Sequence, residues 1–250
     1  MISEKEARKA LDSMLSMPIN KTLPILKKFA KLPRASARLE GDKYDFVYVH
    51  GTREDRVLLI AHADTVWDAV YTAKKRILKR KRRPKIGYEN GVYYSKDPSC
   101  GIGADDRAGC AILWLLRQSG HSLLITDGEE RGELACKYMK EHYPGTFDLL
   151  NSNAYMIQAD RRNASDYKCY NIPVTDEFRR FVEENTGFTD AGNTAATDIV
   201  VLCDKICGVN LSVGYHNEHT PGETLVFDEW YNSLCVIEKM ITPPQKRYEL

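Results

Sequence analysis

Several histidines and carboxylates of this chain stand where an apolar stretch ends. In HADTV, His62 and Asp64 follow the run RVLLIA and lie two residues apart, so they project the same way if the strand continues. A carboxylate beside an imidazole can accept its second N–H and fix the tautomer that binds a metal. Alone, the pair equally describes a hydrogen-bonded structural histidine. In GIGADDRAG, Asp105 and Asp106 follow a glycine-rich turn and precede an apolar helix. Paired carboxylates repel one another and are costly to bury without a cation. A helix N-cap accounts for Asp106 and leaves its neighbour unexplained.

In TDGEERGE, Glu129 and Glu130 are adjacent at a turn or helix start. Adjacent side chains point in different directions, so one can ligate a metal while the other faces the water on that metal; in isolation the pair reads as a solvated acidic loop. Asp160 ends the apolar segment AYMIQAD, and His219 lies in GYHNEHTPGE. Taken together, these histidines and carboxylates form an N/O donor set suited to zinc, with cobalt or manganese as alternatives. Other polar residues nearby read two ways. Asp198 in ATDI is a support for the site floor or a helix cap. Arg161 and Arg162 bind a substrate carboxylate bidentately or are surface charges. Tyr215 and His216 stabilise an oxyanion or serve local structure.

The elements that must position these groups alternate. From Asp106 the order is helix (RAGCAILWLL), strand (HSLLITD), helix (ELACKYMKEHY), strand (AYMIQAD), helix (DEFRRFVEEN), strand (KICGVNLSV) and helix (EWYNSLCVIEKM). Such alternation implies an α/β fold, a three-layer α/β/α sandwich around a mostly parallel mixed sheet. Ligands in such folds sit beyond the carboxyl ends of the strands, where all the polar clusters above fall. Residues 3 to 31 carry two helical patterns, broken near Pro18 and Pro24, expected to pack outside the sheet. YDFVYVHG and RVLLIAHAD are expected as neighbouring strands, and Asn90-Gly91 predicts a hairpin over Tyr88 to Tyr94. The basic run KKRILKRKRRPK at 74 to 85 is too charged for a core and reads as an exposed loop.

Length and composition narrow the classes. A chain of 250 residues suits one sizeable domain, here expected to span 1–250. Its formal charge of +1 points to no nucleic acid or anionic membrane as the main partner. MISEKEARKALDSML lacks the apolar run of a leader or a membrane span, so a cytoplasmic location is expected. Seven cysteines without a repeating spacing read as buried thiols, and Cys203 with Cys207 is a single pair, insufficient for a metal site.

In order, HADTV, GADDRAG, the DGEE run, the aspartate of QADRR and the histidine of NEHTPGE resemble the five metal-binding stations of the di-zinc exopeptidases. That group includes peptidase T, the glutamyl aminopeptidases and deacylases such as succinyl-diaminopimelate desuccinylase. The resemblance covers about residues 57 to 225, and GADDRAG looks especially like peptidase T. It implies two zinc ions bridged by Asp105, with His62 and Asp160 completing one site and Glu130 and His219 the other. It further implies that Asp64 orients His62, that Glu129 is the general base, and that the Asp105-Asp106 peptide is cis. The expected activity is that of an aminopeptidase acting on short peptides through a metal-bound water. Using the same centre, an N-acyl amino acid deacylase or a carboxypeptidase is the alternative reading. A polyanion-binding module using the 74–85 loop is a further one. Larger relatives carry an inserted lid or dimerisation domain of roughly 100 residues. The intervals here leave no room for one.

Overall fold

The computed structural model describes residues 2–68 and 83–250. Ser3 opens helix α1 (Glu4–Leu15) with a capping box, its hydroxyl accepting from the Glu6 amide while the Glu6 carboxylate accepts from the Ser3 amide. Helix α2 (Leu23–Phe29) has Pro24 in its first turn. Pro24 therefore starts a helix instead of breaking one, because its missing N–H has no intrahelical partner at that position. The chain continues through β1 (Ala35–Arg38), β2 (Phe46–Val49), β3 (Leu58–His62), the hairpin β4 (Ile86–Glu89) and β5 (Val92–Ser95), and helix α3 (Ala104–Leu116). Next come β6 (Ser122–Thr126), a 3-10 turn at Glu129–Arg131, α4 (Leu134–His142), α5 (Pro144–Leu150) and β7 (Met156–Arg161). The remaining elements are β8 (Asp166–Lys168), α6 (Asp176–Thr186), β9 (Thr189–Asp190), α7 (Asp198–Leu202), β10 (Gly208–Ser212), β11 (Tyr215–His216), β12 (Thr224–Val226) and α8 (Phe227–Ile241).

Eight strands form one sheet in the order β1-β2-β6-β3-β7-β10-β8-β9, with the central β6, β3, β7 and β10 mutually parallel. Every residue of β3, β6 and β10 is buried. Successive side chains point to opposite faces, so each strand feeds two cores. Leu59, Ala61, Leu123, Ile125, Ile157 and Val209 pack with apolar residues of α1, α2, α3, α6 and α8. Leu58, Ile60, Leu124 and Met156 pack on the other side with Met139, Phe147, Leu150 and Ile199 from α4, α5 and α7. This is the expected three-layer α/β/α sandwich with a mostly parallel mixed sheet. Gly109 lets α3 approach β7 closely, since a Cβ there would lie 2.1 Å from the Ala159 carbonyl oxygen.

One expectation of strand pairing needs correction. The segments YDFVYVHG and RVLLIAHAD are not neighbours: β6 lies between β2 and β3, antiparallel to one and parallel to the other. Pairing is decided by which strand best fills the sheet, and a short connection does not enforce it. The hairpin with Asn90-Gly91 at its turn is present as expected, and it forms part of a separate sheet in the order β11-β12-β5-β4. Of the basic run, residues 74–82 lie outside the described residues.

Arg107 lies fully buried in α3 and ties it to the chain after α1, its guanidinium donating to the carbonyls of Met17 and Pro18, each at 2.6 Å. All seven cysteines are free thiols, and five of them are buried. Among the described residues no helix is long and apolar enough to cross a membrane.

Candidate metal centre

His62 is the last residue of β3, Asp160 lies near the end of β7, and Glu129 and Glu130 form the turn that follows β6. Asp105 stands at the start of α3, where it and Asp106 depart from helical geometry, and the peptide between them is cis. Gly128 delivers the glutamates: its φ of 77° is one that glycine adopts freely, and a Cβ there would lie 2.5 Å from the Lys43 carbonyl. His219 lies in the loop between β11 and β12. The parallel strands thus bring to one sheet edge residues that are 157 positions apart at the extremes, from His62 to His219.

Asp105 is the centre of the arrangement. Its Oδ1 lies 3.2 Å from His62 Nε2 and its Oδ2 3.0 Å from His219 Nε2. The same His62 nitrogen lies 3.2 Å from Asp160 Oδ1 and 3.8 Å from Glu129 Oε2, while His219 Nε2 lies 3.1 Å from Glu130 Oε2. His62 Nδ1 faces Asp64, 3.4 Å from the carboxylate and 3.2 Å from the carbonyl oxygen. These two acceptors favour a proton on Nδ1, which leaves Nε2 as a lone-pair donor. Asp106 also comes within ligand distance of His62 and Asp160. Its oxygens, however, already accept from the His62 amide at 3.1 Å and the Gly109 amide at 2.9 Å. That makes Asp106 the helix cap and leaves Asp105 as the free carboxylate.

Electrostatically, four acids share this space with two imidazoles. Burial and the charge of Asp105 push Glu130 up to about 7. Burial, with Asp160 adding to it, pushes Glu129 well above the usual carboxylate range against the pull of His62. His219 is raised to about 11 by its contacts with Asp105 and Glu130. Burial lowers His62, but Asp160, Asp105 and Asp64 outweigh it. Buried carboxylates in excess of cations, with two imidazole nitrogens among them, form a donor set that divalent cations satisfy and that zinc suits chemically.

No family model matches the sequence, and no curated protein matches it. Solved structures do. The aminopeptidase PepT of Bacillus cereus superposes with a TM-score of 0.66 at 13% identity, covering 96% of this chain and 98% of that chain. A tripeptidase of Staphylococcus aureus gives 0.66 at 14% identity, covering 97% and 98%. The TET1 peptidase of Pyrococcus horikoshii gives 0.63 at 14% identity, covering 94% and 99%. The chain has the fold of these aminopeptidases.

Within this aminopeptidase fold a second set of residues holds the first in place. Opposite β10, β7 carries a bulge at Ala159 and Asp160, where the ladder register shifts. Asn210 replaces the lost ladder bonds, accepting from the Asp160 amide at 3.0 Å and donating to its carbonyl at 3.2 Å. Asp160 Oδ2 accepts from Gln158 at 2.8 Å and from Thr197 at 3.0 Å. Asp64 Oδ1 accepts from the Glu129 amide at 3.2 Å, so one carboxylate orients both His62 and the backbone of Glu129. Glu223, fully buried, accepts from the amides of Gly103 at 2.7 Å and Asp105 at 3.1 Å. Sequence reasoning passed over Glu223, Asn210, Gln158 and Thr197, because a single polar residue in a loop or strand carries no local sign of what it will meet.

Of the remaining candidates, Tyr215 lines the cavity and donates to the Asp160 carbonyl at 3.1 Å. His216, its strand neighbour, faces the other way and pairs with Glu229 at 2.6 Å. It does not line the cavity. Asp198 is buried, but neither caps a helix nor bonds the backbone: its carboxylate accepts from the Thr126 hydroxyl at 2.5 Å. Arg161 and Arg162 line the cavity, and each is paired, with Asp166 and with Glu218.

Glu223 supplies a prediction. Glu223→Ala removes both acceptors beneath Asp105 and is expected to lower kcat/KM by about 10- to 100-fold, as loss of a ligand-orienting partner does. Steady-state kinetics beside cation content of the same preparation checks it; unchanged values for both would exclude the positioning role.

Proposed function

We propose that the chain is a two-metal exopeptidase, an aminopeptidase that removes the N-terminal residue of short peptides, with residues 1–250 acting as one catalytic domain. The observation that carries this reading is the Asp105 carboxylate, whose two oxygens face different histidines at 3.2 and 3.0 Å. In this reading His62, Asp105 and Asp160 hold one ion, and Asp105, Glu130 and His219 the other. Two divalent cations there supply Lewis acidity, lowering the pKa of water to ~7 and polarising a carbonyl.

The protein's own groups then have distinct tasks. Glu129 accepts a proton from the attacking water on its carboxylate and passes it to the departing amine. Asp64 keeps His62 in the tautomer whose Nε2 faces Asp105 and Asp160, at 3.2 Å from each. The cavity beside the cluster, about 430 Å³, accommodates a short peptide, and Tyr215 and Thr197 lie on its wall. A cytoplasmic site of action belongs to this reading, and the free cysteines are compatible with its reducing conditions.

The test is a screen of the zinc-, cobalt- or manganese-loaded protein on aminoacyl amides, di- and tripeptides and N-acyl amino acids. Release of N-terminal residues is expected, and chelation should abolish it. It should also lower Tm, because ions bound only to the folded state stabilise it. Cleavage confined to the N-acyl compounds would replace the aminopeptidase reading with a deacylase.

A further inference from the structure

The cavity that holds the carboxylate cluster is also lined by three cations, Arg161, Arg162 and Lys168. Two of them have carboxylate partners. Arg161 pairs with Asp166, and Arg162, on the surface, pairs with Glu218 at 2.8 Å. Lys168 differs. It is 7% exposed, and among the described residues no carboxylate lies within ion-pairing distance of its ammonium. Its protein partners are neutral: Nζ donates to the Thr194 carbonyl at 2.8 Å and to the Thr194 hydroxyl at 3.2 Å, and stands 5.7 Å from the Tyr170 ring centroid. An ammonium has three N–H donors, and Thr194 accepts two of them.

A buried cation is costly unless a counter-ion meets it. Burial, and then the charges of Arg161 and Arg162, lower the Lys168 pKa, and the more weakly felt carboxylates of Asp166 and Asp190 do not offset them. Thr194, Tyr170 and Lys168 all line the same cavity, so the space next to the ammonium is space a substrate can enter.

We propose that Lys168 is the specificity-determining anion subsite of this cavity, pairing with a carboxylate of the substrate while the scissile amide lies at the Asp105 cluster. The proposal rests on the exopeptidase reading and adds to it a substrate class, peptides bearing a carboxylate within reach of the centre. That carboxylate has two sources, an acidic side chain on the N-terminal residue or the C-terminal carboxylate of a very short peptide. The charge of Lys168 is what reads either one.

The experiment compares substrates in pairs that differ only in that charge. Glu-Ala-amide against Gln-Ala-amide reports on the side chain, and Ala-Ala against Ala-Ala-amide on the C-terminus. In the wild type the carboxylate member of one pair should have the higher kcat/KM by about 10- to 100-fold, the range of a hydrogen bond to a charged group. The pair that discriminates identifies the source. In Lys168→Met the ratio should fall towards one. Lys168→Gln, which can still donate to Thr194, should lose the ratio as well, whereas a lysine serving only to hold the Thr194 loop would scale both members of a pair equally and be rescued by glutamine. Ratios near one in both wild-type pairs, or ratios unchanged by both substitutions, would overturn the proposal. Calorimetric binding of the same four compounds to the zinc-loaded protein separates it from the parent reading. Discrimination in binding without any hydrolysis would uphold the subsite and refute the exopeptidase, and its absence would refute the subsite.

Discussion

Glu129→Gln is expected to lower kcat by about 10²- to 10⁴-fold, the range that a positioned proton-transfer group contributes. The substitution keeps the side chain's shape and its hydrogen-bonding reach while removing its capacity to take a proton. Glu129 is set apart from its neighbour by its contacts. Glu130 meets His219 at 3.1 Å and accepts from the Val66 amide at 3.1 Å, so both its oxygens are engaged. The Glu129 carboxylate stands farther off, 3.8 Å from His62 Nε2, and lines the cavity. The variant should therefore bind cations and substrate as the wild type does, with KM little changed. Activity within a factor of a few of wild type would remove Glu129 from the base role. Loss of cations along with activity would show that it is a ligand instead.

Asp105→Ala should do the opposite. Cation content is expected to fall, because the carboxylate that faces both histidines is gone. Removing a partner that merely orients a ligand costs 10- to 100-fold in affinity or activity, so losing the shared ligand should cost at least about 10²-fold in kcat/KM. Elemental analysis after dialysis, set beside the wild type, checks it. A variant that keeps its full cation content would show that Asp105 is not shared between two ions.

The difference between Asp105 and Asp106 also shows what sequence could and could not reveal. Two adjacent acids before an apolar helix signal an unusual site, and the cap reading already suits Asp106. Only the structure shows the His62 and Gly109 amides on Asp106, which leaves Asp105 free. The layered fold was readable because β3, β6, β7 and β10 are apolar runs separated by amphipathic helices, a pattern that periodicity reports directly. Strand order was not, since β6 enters between β2 and β3 from 60 residues beyond the end of β3, at Ser122 against His62. The short strand β8, the helix α7 and the strands β11 and β12 of the second sheet are not legible in the sequence, because two to five residues carry too little pattern to distinguish from a loop. Lys168 sits on one of those strands, which is why the arginines of QADRR drew attention and the lysine did not. In the structure the arginines are the paired cations and the lysine is the one facing neutral groups.

Anomalous diffraction at the zinc edge on crystals of the zinc-loaded protein tests the central claim most directly. Two peaks ~3.5–4 Å apart, one on either side of the Asp105 carboxylate and in contact with His62 and His219 respectively, are the expected result. Zinc bound elsewhere, or a cluster of these side chains without any peak, would contradict it.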